Sequence, residues 1–195
     1  MRFSRRLVPL LLAAAFAPWQ PAAAQQRSQQ PTVIILVRHG EKDRSNPLAA
    51  NPDLTEAGRR RARDLERVIR RRHVNAIITT HLKRAAETAQ PSAESFHLTP
   101  EVYHANGDGK ATGQAMAEMI RARHMGQTVL VVGHSNTVPA TIEALGGPKI
   151  NEICDSSFSN LFMLVLYPNR APRFTHTHYG AADPPDRHCT NGLHR

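Results

Sequence analysis

Two arginines and two histidines stand at or just beyond the ends of short apolar segments that are far apart in the chain. They are Arg38 and His39 after "TVIILV" (32–37), Arg84 after "NAIITT" (75–80), and His134 at the end of "TVLVVGH" (128–134). Guanidinium forks match the oxygens of a phosphoryl group, and nearby cations favour the neutral imidazole that a nucleophile needs. These residue types therefore predict a site where His39 attacks phosphorus while cationic groups hold the phosphoryl oxygens.

The spacing of these residues requires elements that bring the four side chains together. The three apolar runs, rich in β-branched residues, are typical of buried strands. Helices are predicted at 54–72, 82–96, 113–124 and 137–147, and two later strands at 158–167 and 173–179. This alternation predicts one α/β domain, a three-layer sandwich with a mostly parallel central sheet flanked by helices.

Local features refine these elements. Thr55 is the expected N-cap of the first helix, and Pro91 is expected to kink or divide the second. Gly40 and Gly133 are expected to allow a sharp turn or a close approach to a ligand. Ligands of such sheets bind beyond the carboxyl ends of the strands, so the site residues should meet at that edge. The helix after "GHSNTVP" (133–139) should offer free N–H groups to an anion there.

The first two dozen residues have the pattern of a secretory signal peptide. Three arginines precede the apolar segment 7–17, and small residues lead to an expected cleavage near Ala24. The pattern predicts a signal peptide (1–24), a polar tether (25–31) and a single domain (32–195), with a periplasmic or secreted mature protein. An uncleaved anchor is the alternative, and the choice between general and twin-arginine export stays open. No later stretch is long and apolar enough to span a membrane.

Charge and cysteine usage narrow the partners only in part. The formal net charge is +9, and removal of the three arginines in the signal peptide lowers it by three. A basic balance favours anionic partners. Cys154 and Cys189 form either a disulfide, which export would permit, or two free thiols, and their spacing matches no zinc pattern. No carboxylate cluster near the motifs suits a metal, so neither a metal nor another cofactor is expected.

As a set, these motifs resemble the histidine phosphatase superfamily, in its phosphoglycerate-mutase-like branch. The segments that carry the resemblance are, in the family's order, "VRHGEK" (37–42), "DLTEAGRRRA" (53–62), "TTHLKRAAETA" (79–89) and "VVGHSNTVP" (131–139). The resemblance implies a phosphohistidine mechanism in which His39 is the nucleophile and Arg38, Arg84 and His134 form the catalytic phosphate pocket. It favours a small hydrolase, because the compact chain lacks the insertion usual in mutases.

Departures from the family pattern bear on the chemistry. Arg61 stands where many members have glutamine, and Ser135 follows the second histidine where the acid-phosphatase and phytase branch often places an aspartate. The acidic residues between the second arginine and the second histidine match no donor pattern; they are Glu87, Glu94, Glu101, Asp108 and Glu118. Asp108 is the candidate proton donor, because its glycine-rich segment (104–113) can reach over the site. A substrate with a good leaving group would need no donor.

Other interpretations remain beside the phosphatase. "GHSNT" (133–137) loosely resembles a serine nucleophile elbow but has Thr137 where glycine is needed. "RRRARDLERVIRRRH" (59–73) suits an anionic polymer, although it lacks aromatic residues for base stacking. "HTHY" (176–179) places two histidines on one strand face, where they could bind a metal. A protein that binds phosphate compounds without turnover would share the same quartet.

The favoured prediction is an exported, metal-independent phosphatase that acts on a small phosphorylated substrate or on a phosphoprotein. No nucleic-acid partner is expected, and the oligomeric state stays open. Specificity should reside in the loops 43–53 and 99–112, which flank the motifs.

Overall fold

The computed structural model describes residues 30–105 and 107–185. The predicted signal peptide, most of the predicted tether and Cys189 lie outside the described residues. Cys154 is disulfide-bonded. Within the described ranges, no helix is both long and apolar enough to cross a membrane.

Strands and helices alternate along the described residues. The strands are β1 (Thr32–Arg38), β2 (Ala76–Thr80), β3 (Glu101–Tyr103), β4 (Thr128–Gly133), β5 (Asn160–Tyr167) and β6 (Arg170–His178). The helices are α1 (Glu56–Ile69), α2 (Lys83–Phe96), α3 (Gly109–Arg123) and α4 (Thr137–Ala144). The predicted strands and helices are confirmed with shifted ends. Strand β3 is an addition, because so short a strand shows no periodic pattern in the sequence.

The six strands form one sheet in the order β3-β2-β4-β1-β5-β6. The first four strands of the chain pair in parallel, whereas β5 is antiparallel to β1 and β6 is antiparallel to β5. The register pairs Arg38 of β1 with Gly133 of β4, and Thr79 of β2 with Val132 of β4. The carboxyl ends of these three strands are therefore level at one edge. This arrangement confirms the predicted α/β class with a mostly parallel sheet.

Helices cover both faces of the sheet, which gives the three layers. Leu36 of β1 belongs to a core cluster with Met116 of α3, and its neighbour Val37 belongs to a second cluster with Leu65 of α1 and Ala85 of α2. All five side chains are 0% exposed. Successive residues of a strand point to opposite faces, so a strand covered on both sides must be apolar throughout. This explains the unbroken apolar run before Arg38.

The first two helices show one confirmed and one incorrect prediction. Thr55 caps α1, since its hydroxyl accepts a hydrogen bond from Gly58 N over 3.1 Å. Helix α2 is continuous through Pro91, so the predicted division of this helix is wrong. A proline inside a helix removes one backbone hydrogen bond. The buried face of α2, which includes Ala89 and Ala93, offsets that loss by packing on the core.

Helix α3 begins earlier than the sequence indicates. Asp108 is its N-cap, and its Oδ1 accepts hydrogen bonds from Lys110 N over 2.8 Å and Ala111 N over 3.0 Å. The glycine-rich composition of the segment concealed this start. Helix α4 ends at Ala144, before the predicted glycines, and Gly146 follows with a φ of +87°. A positive φ of this kind is the usual way in which glycine terminates a helix.

Candidate active site

The four side chains that the sequence singled out meet at the carboxyl edge of the sheet. Arg38 ends β1, and His39 N donates a hydrogen bond to Gly133 O of the neighbouring strand over 3.0 Å. The imidazole rings of His39 and His134 lie 5.2 Å apart between centroids. Arg84, in the first turn of α2, donates from Nε to His39 Nε2 over 3.1 Å. All four line one pocket of about 380 Å³.

His39 is a buried imidazole with one nitrogen available for chemistry. The residue is 3% exposed, and its Nδ1 lies 2.7 Å from Gly40 O. Because a carbonyl oxygen can only accept, Nδ1 carries the proton and Nε2 keeps its lone pair. Burial, aided by the neighbouring cationic groups, lowers the pKa of His39 to about 2. The imidazole is therefore neutral at physiological pH, and its Nε2 is a competent nucleophile.

The loop between α4 and β5 accepts hydrogen bonds from the Arg38 guanidinium. Its Nη1 donates to Cys154 O over 2.6 Å and to Ser157 O over 3.2 Å, and its Nη2 donates to Asp155 Oδ1 over 3.1 Å. The guanidinium carbon lies 4.4 Å from the centroid of the Phe158 ring, a cation–π distance. Among the described residues, nothing pairs with the buried Nε of Arg38. This donor remains available for an anion.

His134 presents a second unpaired nitrogen. Its Nε2 lies 2.8 Å from the Thr80 hydroxyl, and its buried Nδ1 has no hydrogen-bond partner in the described part of the chain. Burial, with the nearby Arg84 and Arg38, lowers the pKa of His134 to about 4, so this ring is also neutral. When the Thr80 hydroxyl donates to Nε2, the proton of His134 resides on Nδ1 and can be donated to a phosphoryl oxygen.

Hydrogen bonds join helix α2 to Gly40, the residue that follows His39. Gly40 N donates to the Thr88 hydroxyl over 2.9 Å, and that hydroxyl donates to Arg84 O over 2.6 Å. A Cβ at Gly40 would lie 3.0 Å from the backbone of Gly58 in α1, and the φ of Gly40 is not positive. Close packing against α1 therefore favours glycine at this position, and the sharp turn or ligand approach expected from the sequence stays a prediction. At Gly133, a Cβ would lie 2.6 Å from Oγ1 of the first residue of α4, so packing also requires that glycine.

A buried ion pair between Arg61 and Glu41, close in sequence to His39, was not predicted from the sequence. Arg61 of α1 is 3% exposed and donates to Glu41 Oε1 from Nη2 over 2.8 Å and from Nε over 3.0 Å. Its Nη1 donates to Tyr179 O over 3.1 Å and Ala181 O over 3.0 Å, beyond the end of β6. The pair thus ties α1, the residue after "RHG" and the C-terminal segment together. Its only signal in the sequence was Arg61 in place of the glutamine usual in similar proteins.

The same C-terminal segment supports the ring beneath Arg38. Asp183 Oδ1 accepts hydrogen bonds from Phe158 N over 2.8 Å and Ser159 N over 3.0 Å, and its Oδ2 accepts from the Ser159 hydroxyl over 2.7 Å. The Phe158 ring lies 6.3 Å from the His39 ring between centroids. Asp183 therefore fixes the backbone that places this ring against both the cation and the nucleophile.

The pocket wall contains two carboxylates among the described residues, Asp108 and Asp155. Asp108 lies at the pocket, as its segment led us to expect, and its Oδ1 caps α3. Its role as proton donor stays a prediction. The other acidic residues considered from the sequence do not line this pocket; they are Glu87, Glu94, Glu101 and Glu118. Glu87, for example, accepts a hydrogen bond from Leu54 N over 2.8 Å.

The mouth of the pocket is rich in basic side chains. Lys42 lines it, and partial burial beside Arg84 lowers the pKa of Lys42. Arg44 Nη2 lies 3.7 Å from Asp155 Oδ2 at the same mouth. His81 also lines the pocket, and its ring stacks on that of His104 with centroids 5.3 Å apart. Such a mouth attracts anions.

The histidines of "HTHY" lie away from the pocket on the edge strand β6. The rings of His176 and His178 are 4.8 Å apart between centroids, and each contacts β5 or the residue before it: His176 Nε2 lies 2.8 Å from Asn160 Oδ1, and His178 Nδ1 lies 3.0 Å from Ser159 Oγ. Across the described ranges, no group of three or more histidine, cysteine, aspartate or glutamate side chains is arranged to hold a metal ion.

A neutral histidine between arginines, at the carboxyl edge of a mostly parallel sheet, has the residue types and the position that suit a phosphoryl ligand. Comparison with known proteins agrees. The family profile described as histidine phosphatase superfamily (branch 1) matches residues 34–105, which include Arg38, His39 and Arg84. Phosphoserine phosphatase 1 of Hydrogenobacter thermophilus is 28% identical over 181 residues, covering 69% of this chain and 85% of that protein.

Solved structures share the fold. The protein histidine phosphatase SixA, complexed with tungstate, superposes with a TM-score of 0.58 at 15% identity, covering 75% of this chain and 96% of that one. A phosphoserine phosphatase variant from Entamoeba histolytica, in complex with phosphoserine, gives a TM-score of 0.54 at 18% identity, covering 74% and 95%. The chain therefore shares the fold of these phosphatases, and its residues 34–105 resemble the histidine phosphatase superfamily.

Proposed function

We propose that the protein hydrolyses phosphomonoesters or related phosphoryl compounds through a covalent intermediate on His39 Nε2. One observation carries this proposal: the unprotonated Nε2 faces Arg84 in a pocket where Arg38 Nε and His134 Nδ1 are buried and unpaired among the described residues. A phosphoryl group would supply the missing acceptors. Since buried polar groups are rarely left unpaired, these two donors favour a ligand of this kind.

In the first step, His39 Nε2 attacks phosphorus and the bond from phosphorus to the leaving oxygen breaks. The imidazole becomes positively charged, and its Nδ1–H continues to donate to Gly40 O. Arg38, Arg84 and His134 hold the nonbridging oxygens, whose negative charge they stabilise in the transition state. These donors are already in place before the reaction, so little reorganisation is required.

In the second step, water attacks phosphorus and the bond from phosphorus to Nε2 breaks, which releases inorganic phosphate and restores the neutral histidine. The same three side chains stabilise this transition state, because the charge develops on the same oxygens. The chain itself supplies the nucleophile and the compensating charges. We therefore propose a metal-independent reaction, which predicts full activity in the presence of EDTA.

The substrate belongs to one of two chemical classes that similar proteins suggest. Phosphoserine is the substrate that names the curated relative, and a phosphohistidine protein is the substrate that names SixA. The cationic mouth formed by Lys42 and Arg44 suits either kind of phosphoryl donor. A substrate panel should therefore contain phosphoserine, a phosphohistidine-bearing protein and an acyl phosphate beside the chromogenic para-nitrophenyl phosphate.

The test of the mechanism compares the parent protein with two variants, His39→Ala and His176→Ala. His176 is a histidine on β6 that does not line the pocket, so its variant is a matched control. In EDTA, His39→Ala should lose at least about 10⁴-fold in kcat, the scale seen on removing a covalent nucleophile. A phosphoryl group should be trapped on the peptide that contains His39 in the parent and the control only. Turnover retained by His39→Ala would refute the proposal.

We further propose that the protein is exported and that cleavage occurs near Ala24. The proposal is supported by the N-terminal charge, the apolar segment 7–17 and the small residues that follow. Fractionation of the expressing cells, with N-terminal sequencing of the mature protein, is the test. A mature N-terminus at Met1 in the cytoplasmic fraction would contradict it.

A further inference from the structure

The mechanism leaves one proton unassigned. An alkoxide is a poor leaving group, so hydrolysis of an alkyl phosphate is fast only when an acid protonates the departing oxygen. The acid must lie beside the phosphoryl pocket. Of the two carboxylates in the described pocket wall, Asp108 uses Oδ1 to cap α3 with two backbone N–H groups. The second, Asp155, caps nothing.

The backbone of Asp155 is held beside the pocket independently of the ion pairs of its carboxylate. Its loop is anchored by Ile153 N, which donates to Ser135 O over 3.0 Å next to His134, and by Ser157 N, which donates to Cys154 O over 2.9 Å. The Asp155 side chain itself is 79% exposed and extends toward the mouth of the pocket. This exposure gives the carboxylate room to leave Arg38 without a change in the backbone.

The contacts of Asp155 put it next to the phosphoryl position. Its Oδ1 lies 3.1 Å from Arg38 Nη2, and its Oδ2 lies 3.7 Å from Arg44 Nη2. Both hydrogens of Arg38 Nη1 are directed to carbonyl oxygens of the loop. A phosphoryl group can thus approach only the edge formed by Nε and Nη2, which is the edge where Asp155 already sits. The carboxyl and the bound phosphoryl group become neighbours.

We propose that Asp155 is the general acid that protonates the leaving oxygen, a role that rests on the phosphohistidine mechanism proposed above. As the bond from phosphorus to the leaving oxygen breaks, the Asp155 hydroxyl proton passes to that oxygen and an alcohol departs. In the second step, the Asp155 carboxylate accepts a proton from the attacking water. The carboxylic acid is regenerated, and phosphate leaves.

The arrival of substrate explains how an ion-paired carboxylate becomes an acid. In the free protein, Asp155 offsets one of the two positive charges of Arg38 and Arg44. A phosphoryl dianion that binds Arg38 and Arg84 takes over that positive charge and places negative charge beside the carboxyl group. Like charges at close range favour the protonated form of a carboxyl group. Binding of the substrate therefore loads the acid.

The test measures kcat/KM of the parent and of Asp155→Asn on phosphate esters that differ in the basicity of the leaving group. Para-nitrophenolate leaves without help, whereas phenolate and the alkoxide of phosphoserine need a proton. The variant should retain activity on para-nitrophenyl phosphate within about threefold and lose about 10²–10⁴-fold on the more basic leaving groups, the range for general acid catalysis. Asp155→Glu should recover part of the loss. Arg44→Gln is the comparison variant: it removes the other partner of Asp155 and keeps the acid, so any loss should be equal on all esters.

An equal loss on all esters would overturn the proposal, since Asp155 would then only hold Arg38 in position. No loss on any ester would overturn it too, and so would a parent protein that turns over para-nitrophenyl phosphate alone. Failure of the underlying mechanism is recognised separately, by the absence of a phosphoryl group on the His39 peptide of the parent. Trapping that intermediate in Asp155→Asn shows that the variant is folded and that the nucleophile is intact.

Discussion

Replacing His39 with asparagine should reduce the acid sensitivity of the folded protein. Burial is the main cause that lowers the pKa of His39 to about 2 and that of His134 to about 4. The pKa of a histidine in the unfolded chain is about 6.5. Below that pH, the unfolded chain binds protons that the native imidazoles do not, so the free energy of unfolding falls as the pH falls. The contribution of these neutral histidines to the free energy of unfolding is fully present above the unfolded pKa and is lost as the pH falls below it.

The magnitude follows from proton linkage. Between its unfolded and folded pKa values, each such histidine contributes a slope of about 1.4 kcal/mol per pH unit to the free energy of unfolding. The two together contribute about 2.7 kcal/mol per unit between about pH 6 and pH 4.5. In His39→Asn, one contribution disappears, so the slope should decrease by about 1.4 kcal/mol per unit. This difference requires that the folded pKa of His39 lies well below the unfolded value and that His134 titrates alike in both proteins.

The assay is urea unfolding at several pH values within this window, with the slope of unfolding free energy against pH as the readout. Carboxylates that titrate in the same window contribute equally to both proteins and cancel in the difference. Phe158→Leu is the control, because it alters a neighbour of His39 without removing an ionisable group. It should lower stability at every pH and leave the slope unchanged. Equal slopes for the parent and His39→Asn would refute the assignment of a buried, neutral nucleophile.

Three further substitutions test the surroundings of the nucleophile. Arg84→Gln removes the guanidinium that contacts the nucleophile, and kcat/KM measured by initial rates should fall about 10²–10³-fold; an unchanged value would place the phosphoryl group elsewhere. Arg61→Gln leaves the carboxylate of Glu41 unpaired and should lower the free energy of unfolding by about 3–5 kcal/mol. Adding Glu41→Gln should recover part of that loss in the same urea titration, whereas additive losses would contradict the pairing. Gly40→Ala forces a Cβ to within 3.0 Å of the Gly58 backbone and should lower the free energy of unfolding by about 1–3 kcal/mol. A melting temperature equal to that of the parent would show that α1 can shift to make room for the Cβ.

The four pocket residues at the carboxyl edge of the sheet could be predicted from the sequence, because the apolar runs before them are typical of buried strands. An apolar run that ends on Arg38 indicates both a strand and the place where it leaves the core. Parallel strands then align their carboxyl ends, as the pairing of Arg38 with Gly133 shows. Arg84 and His134 follow from the same rule applied to β2 and β4. The prediction that these residues meet at one edge therefore depends on the strands alone and on no contact between side chains.

The loop contacts that hold Arg38 and Phe158 in place could not be predicted in this way. Arg38 donates to Cys154 O, which is 116 positions away in the chain, and Asp183 holds Phe158 from the far side of β6. Such contacts arise where irregular loops pack, and loops have no hydrophobic period that would reveal them. Pro91 was misjudged for a related reason, because the packing of α2 on the core outweighs the local cost of a proline.

Burial has opposite consequences for the two kinds of basic residue in this pocket. It is the main cause that lowers the pKa of both His39 and Arg38. The pKa of a free histidine lies near neutrality, so lowering it makes the imidazole uncharged, whereas the pKa of arginine starts so high that the guanidinium keeps its charge. One physical cause thus produces both an uncharged imidazole and a permanent cation beside it. That cation is paired with the exposed carboxylate of Asp155, so in the free site an anion already lies where the proposed phosphoryl group would bind Arg38.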